Sequence, residues 1–131
     1  GDHRDLHLSL RRQRQMCIRD RVEGASHARL LLTGEGPRPT SQLYYQIPYG
    51  EPLGGSRGVR THRYTLVITR SPDKRDEEII LFDRQNDPFQ MTNIASKRLN
   101  LVKKLINEEL IPWLKKTKDP WLKQGLPGAK I

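Results

Sequence analysis

Cysteine is nearly absent: Cys17 stands alone among 131 residues, and one thiol can neither close an internal disulfide nor assign a redox compartment. Long apolar runs are missing as well. No stretch reaches the roughly 20 apolar residues of a membrane-crossing helix, and the first residues are charged, so neither a membrane span nor a signal peptide is expected in the chain as it stands. Only 34% of the residues are hydrophobic, which at this length implies at most one domain with a small core that depends on a neighbour. Metal-ligand spacing is lacking around His27 and His62, each isolated from other Cys, His or carboxylate residues, so a surface or packed histidine is expected at both. Acidic residues are the minority, 15 against 24 Lys and Arg, leaving a formal charge of +9.

An excess of cations invites a nucleic-acid or other polyanion partner, since Lys and Arg gain from releasing phosphate counterions. The distribution argues for a solvated face instead. Residues 1–21 hold six Arg and three Asp and so carry +3 of the +9, and much of the remainder falls on a helix where lysine is an ordinary solvent-facing residue. Tyr44, Tyr45, Tyr49 and Tyr64 near arginines are compatible with a stacking platform for single-stranded nucleic acid. No nucleic-acid-binding signature accompanies them, and strand aromatics packing under a helix are the simpler account.

What is present is a β-rich centre followed by one helical pattern. Ser56 to Thr69 carries Val59, Thr61, Tyr64, Thr65, Leu66, Val67 and Ile68 after Gly54-Gly55 and reads as one central strand. Ser71-Pro72-Asp73-Lys74-Arg75-Asp76 is turn chemistry, and Ile79 to Arg84 is a second apolar run, so the two runs are expected to pair as an antiparallel hairpin. Upstream, Gln42–Ile47 reads as a strand ended by Pro48, with Tyr49 to Gly55 as an irregular loop. Ala28 and Leu30 to Leu32, closed by Gly34, predict a short helix with a glycine stop. Asn86-Asp87-Pro88 predicts a turn in the connection from Asp83 to Asn93.

Ser96 is a reasonable N-cap for a helix over Lys97–Thr117. Leu99, Val102, Leu105 or Ile106, Leu110 and Trp113 form its apolar stripe, which should pack on one face of the sheet. Pro112 falls inside this pattern. It removes one helical hydrogen bond and crowds the carbonyl of Glu108, at roughly 3 kcal/mol in an unbroken helix, so a kink or restart is expected near Glu109. Trp121 is expected to fold back, and Gln124 to Ile131 to fray.

Two segments resemble a known family. Leu81-Phe82-Asp83-Arg84-Gln85-Asn86-Asp87-Pro88-Phe89-Gln90-Met91-Thr92-Asn93-Ile94-Ala95 resembles the pattern (L/Y)-(Y/F)-D-L-x-x-D-P-x-E-x-x-N-L-A near the C-terminus of type I sulfatases. Arg57-Gly58-Val59-Arg60-Thr61-His62-Arg63-Tyr64 resembles the preceding (R)-x-V-R-T-x-x-Y-K strand of that family, and Val22 to Gly34 more loosely resembles its phrase V-x-G-x-S-x-x-P-L-L-x-G, with Arg29 where proline is common. The resemblance covers about residues 22–122. It implies an α+β unit, a small antiparallel sheet of three to four strands packed against one long C-terminal amphipathic helix, with residues 123–131 as a flexible tail.

Residues 1–21 fit poorly with the rest, and Met16-Cys17-Ile18-Arg19-Asp20-Arg21 resembles a reading frame of a transposon-end adapter, so this segment is held apart as a join made in sequence assembly. The resemblance implies a sulfuric ester hydrolase of the arylsulfatase and sulfohydrolase kind, which attacks the sulfate with a formylglycine hydrate and holds it with calcium. It is usually exported, to the periplasm, the extracellular space or the lysosome. The nucleophile is made from Cys/Ser-x-Pro/Ala-x-Arg. Cys17 and Arg21 have that spacing but Arg19 departs from it, so the match is a coincidence and no residue here is a catalytic candidate. Gly1-Asp2-His3-Arg4-Asp5 resembles the family's (S/G)-D-H-G-D segment, which makes Asp2 and His3 the candidate calcium ligands, although a hard cation needs more oxygens than these supply. The chain alone is not expected to bind calcium.

Arg60 is the candidate contact for a substrate sulfate, since a guanidinium suits planar oxyanions, with a structural ion pair to Asp83 or Glu78 as the competing role. The implied function is a C-terminal fragment, inactive alone, that packs on the missing N-terminal catalytic domain and shapes a cleft for a sulfated glycan or aryl sulfate. The alternative is a free-standing basic module that binds a polyanion such as nucleic acid or a sulfated glycan.

Overall fold

The computed structural model describes residues 26–36 and 38–127. By its contacts the chain divides into two compact units, Gly1–Arg38 and Pro39–Ile131. In the first, the helix α1 (Ala28–Thr33) forms as its apolar cluster predicted, and Gly34 ends it in the left-handed conformation, φ 73, returning its N–H to the Leu30 carbonyl. None of the six residues of α1 is buried.

The second unit is a sheet with helices. Its strands are β1 (Ser41–Gln46), β2 (Gly55–Thr61), β3 (Tyr64–Arg70) and β4 (Glu77–Asp83). They form a four-stranded antiparallel meander in the order β1-β2-β3-β4. The α+β expectation of three to four antiparallel strands holds. The stretch Ser56 to Thr69, however, is not one strand: it folds on itself at His62-Arg63 into β2 and β3, with Arg60 opposite Thr65 and Val59 opposite Leu66. Thr61 clamps the reversal, its hydroxyl accepting from the Tyr64 N–H at 2.9 Å and donating to the Tyr64 carbonyl at 3.2 Å. The turn contains none of the glycine, asparagine or aspartate that marks a short hairpin, so the β-formers on either side read as continuous. The β3–β4 hairpin forms as predicted across Ser71–Asp76, closed by the Ser71 N–H on the Asp76 carbonyl.

Gly55 starts β2 where only glycine fits. Its φ is 89, and a Cβ there would lie 2.2 Å from the Gln46 carbonyl oxygen.

After β4 come α2 (Leu99–Leu105), a π-helical turn (Ile106–Leu110), α3 (Ile111–Lys116) and the short α4 (Trp121–Gln124). The single long helix is therefore interrupted, at the place where Pro112 predicted a break. Ser96 is not its cap: residues before Leu99 are bent into a turn by Lys97 N–H to Ile94 O and Arg98 N–H to Ala95 O, and helical geometry begins only at Leu99. Leu99 is 60% exposed and leaves the expected stripe. The wide turn inserts a residue into the helical period, so both Leu105 and Ile106 reach the core, and the later seats pass to Leu110, Ile111 and Leu114. Trp113 moves to the flank, where its indole N–H donates to Ser41 Oγ at 3.0 Å.

These helical residues pack with Val59, Leu66, Ile68 and Leu81, all fully buried on one face of the sheet. Full burial of side chains of this kind stabilises by about 1.5–3 kcal/mol each. Trp121 folds back as expected and is fully buried, its indole N–H donating to the Leu53 carbonyl at 2.9 Å.

Candidate functional site

The residues that carry the family pattern between Leu81 and Ala95 form a structural clip. Asp83 accepts from Arg63 Nε and Nη2 at 3.0 and 2.7 Å, from the Gln85 N–H at 3.2 Å and from Asn86 Nδ2 at 2.9 Å. The Arg63 guanidinium is the chief reason its carboxyl is held down at a pKa of about 2, with the backbone amides of Gln85 and Asn86 helping and partial burial opposing. Asp87 accepts the Thr92 N–H at 2.8 Å, folding the Pro88 turn back on itself. Asn93 then fastens the loop to the sheet edge: its Oδ1 accepts from Leu81 N–H and Ala95 N–H, both at 3.0 Å, and its Nδ2 donates to the Ile79 carbonyl at 3.1 Å. Spacing in this segment thus serves backbone satisfaction at the exit from β4.

The arginines of the β2–β3 segment have separate fates. Arg57 is fully buried and bonds through Nε to Asp119 at 2.9 Å, while its other nitrogens donate to the carbonyls of Gln46, Pro52, Gly54 and Ser56. Its guanidinium lies over the rings of Tyr45 and Trp121. Arg63, rather than Arg60, takes the ion pair with Asp83. Arg60 follows Val59 by one residue, and the period of two therefore turns it to the face opposite the core. It is exposed, with no hydrogen bond or ion pair among the described residues.

Register assembles a polar recess of about 400 Å³ around Arg60, lined by Pro39, Thr40, Ser41, Gln42, Thr61, His62 and Arg84. Arg84 was legible only as the end of an apolar run and His62 only as an isolated histidine. The unforeseen β2–β3 turn brings His62 level with the exit of β4, where the Arg84 N–H donates to the Arg63 carbonyl at 2.8 Å. The recess contains two guanidinium groups and no carboxylate. A larger recess of about 700 Å³, at the other end of the strands, mixes Arg70 and Arg75 with Asp76, Glu77 and Glu78, and Arg70 is already bound to Glu77. Uncompensated positive charge therefore distinguishes the Arg60 recess.

The tyrosines divide. Tyr45 and Tyr64 stand on the helix side, Tyr45 donating its hydroxyl to Asp119 and Tyr64 packing on the core. Burial is the first cause of the raised Tyr45 pKa, and the Asp119 carboxylate adds to it. Tyr45 nonetheless stays 41% exposed, close to the 45% of Tyr44; Tyr44 and Tyr49 do not pack under the helix. Asp2, His3 and Cys17 lie outside the described residues. Among the described residues no three His, Cys, Asp or Glu side chains are grouped to hold a metal ion. No described helix is long and apolar enough to cross a membrane.

No family model matches the chain. It is similar to an endo-4-O-sulfatase of Bacteroides thetaiotaomicron, with 30% identity over 126 residues, covering 87% of this chain and 25% of that protein. Its fold is similar to a crystal structure assigned as the sulfatase yidJ from Bacteroides fragilis, with a TM-score of 0.69 and 39% identity over 78% of this chain and 22% of that one. A second solved structure, a 4S-sulf protein from a core genetic locus for metabolism of multiple glycosaminoglycans in Bacteroides thetaiotaomicron, has a TM-score of 0.66 and 30% identity over 77% of this chain and 23% of its own. The chain spans about a quarter of the length of these relatives. In sequence and in fold alike, the chain is a C-terminal sulfatase-like part.

Proposed function

We propose that the chain is the C-terminal part of a sulfuric ester hydrolase, which packs on that enzyme's catalytic domain, helps to shape its substrate cleft and is inactive alone. The observation that carries this reading is similarity to sulfatases over only about a quarter of their length, at 39% identity and a TM-score of 0.69 for one of them. Exposed apolar groups support it: Phe89 and Met91 are 85% and 82% exposed. The sheet face opposite the core adds a row in which Tyr44, Gly58, Val67 and Ile80 stand side by side. Apolar surface of this kind fits a subdomain separated from its neighbour.

A sulfated glycan is the substrate class, in keeping with the names of the relatives. The resemblance implies that the whole enzyme holds calcium, which supplies electrophilic assistance at the sulfate. The side chains of the present unit contribute positive charge and shape to the rim of the cleft. The alternative, a free-standing basic module, draws on the same Arg60 recess.

The test has two parts. The 131-residue chain should release no sulfate from a sulfated glycosaminoglycan or a chromogenic aryl sulfate. The codons before Val22 in source DNA should continue into an open frame with Cys/Ser-x-Pro/Ala-x-Arg near its start. Sulfate release by the chain alone, or a start codon immediately before Gly1, would overturn the reading. Steeply salt-dependent binding of nucleic acid by the monodisperse chain would favour the alternative.

A further inference from the structure

We propose that Arg60, His62 and Arg84, with Gln42, form an anion-recognition recess that holds a non-reacting sulfate group of a sulfated glycan; this rests on the sulfatase reading above. Three independent features converge. First, the charge is unpaired: Arg60 has no partner among the described residues, and Asp83, the carboxylate that ends β4, is occupied by Arg63. Second, Arg84 is preorganised. Its Nη1 donates to the carbonyls of Thr61 and His62 at 3.2 and 3.4 Å, which holds the guanidinium across the β2–β3 turn while Nε and Nη2 make no bond among the described residues. A guanidinium fixed in this way loses little freedom on gripping an oxyanion with its remaining N–H groups. Third, Arg84 stands where the family pattern quoted above has leucine, so its part in the recess is not implied by the resemblance.

The recess, about 400 Å³, is of small-molecule rather than single-ion size. Gln42 lies opposite Arg60 in the register and provides an amide for hydroxyl groups. Donors for a sulfate and an amide for hydroxyls, in a recess of this size, together describe a sulfated sugar better than a free ion. The reacting sulfate belongs at the nucleophile, so the group held here is a second one, and the recess selects and orients the chain of sugars.

Calorimetric titration of the full 131-residue chain at low salt tests this, with a 4-O-sulfated chondroitin disaccharide, its desulfated counterpart and inorganic sulfate as probes. The sulfated disaccharide should bind at least tenfold more tightly than either of the others. Arg60→Gln and Arg84→Gln should each weaken it about tenfold or more, the loss expected for one charged hydrogen bond. Because Arg84 also ties down backbone, Arg84→Lys and the melting temperature of every variant accompany the series. Equal affinity of wild type and a folded Arg60→Gln, or no binding by wild type, overturns the recess. Equal affinity for inorganic sulfate and disaccharide overturns the glycan assignment. Binding that depends on both arginines in a chain whose upstream codons hold no sulfatase motif would overturn the proposed function and leave the recess standing, whereas a sulfatase upstream with no disaccharide binding overturns the recess alone.

Discussion

The guanidinium of Arg57 and the carboxylate of Asp119, 62 positions apart in the chain, meet at 2.9 Å with neither side chain exposed to solvent. Around this pair the C-terminal segment is locked to the sheet. Asp119 also accepts the Trp121 N–H at 2.8 Å, and the guanidiniums of Arg57 and Arg70 both lie over the Trp121 ring, at 4.6 and 4.5 Å. Arg57→Ala leaves Asp119 buried without its cation, and should cost about 3–5 kcal/mol of unfolding free energy. Arg57→Lys should recover little, because one ammonium cannot serve the four carbonyls and the carboxylate together. Urea unfolding followed by tryptophan fluorescence measures both, and a change below about 1 kcal/mol in Arg57→Ala would contradict the role.

Trp121 and Trp113 should respond very differently to removal. Trp121 is fully buried, and Trp121→Ala opens a large void, expected to cost about 3–5 kcal/mol. Trp113→Phe keeps most of the ring packing and loses the bond to Ser41 Oγ, a change of about 0.5–1.5 kcal/mol. The same unfolding curves compare them, and a larger loss from Trp113→Phe would place the core wrongly.

Asp83 makes stability depend on acid. Its folded pKa is held at about 2 by Arg63, below the ordinary carboxylate value. The contribution of the pair is therefore whole above about pH 4 and is lost as pH falls from there through the folded value. Melting temperature should drop over that window, and Asp83→Asn should melt lower at neutral pH while showing a shallower acid slope. Parallel acid slopes for the two proteins would show that Asp83 is not the titrating group.

Asn93→Ala should free the β4–α2 loop. Three backbone partners lose their bond at once, those of Ile79, Leu81 and Ala95. A cost of about 1–3 kcal/mol follows from leaving such groups unsatisfied. Hydrogen exchange should quicken first at the Leu81 amide. Asn93→Asp, which retains an acceptor but not the donor to Ile79, should fall between the two.

Much of the architecture was readable before any fold was seen, for local reasons. Gly34 stops α1 because glycine enters the left-handed region freely, and Ser71–Asp76 turns because its side chains bond their own backbone. Pro112 foretold the break in the long helix because a missing N–H is a property of one residue. The helix start at Leu99 was not readable, since the residues before it are bent into a turn by Lys97 N–H to Ile94 O and Arg98 N–H to Ala95 O, which no single residue type announces. Nor was the turn at His62-Arg63, whose residues carry no turn signature and whose reversal is held by the side chain of Thr61.

Sequence by itself determined the class of the fold, the β4 exit motif and the resemblance to the C-terminal part of sulfatases, because alternation, turn chemistry and motif spacing are short-range properties. Tertiary structure alone decided which arginine does what. Arg57, Arg60 and Arg63 lie within seven positions of one another, yet one is buried on Asp119, one is paired with Asp83 and one is left open beside Arg84. A charge takes its role from whatever the folded chain brings within about 4 Å of it, and those partners come from β4 and from the segment after α3, far along the chain.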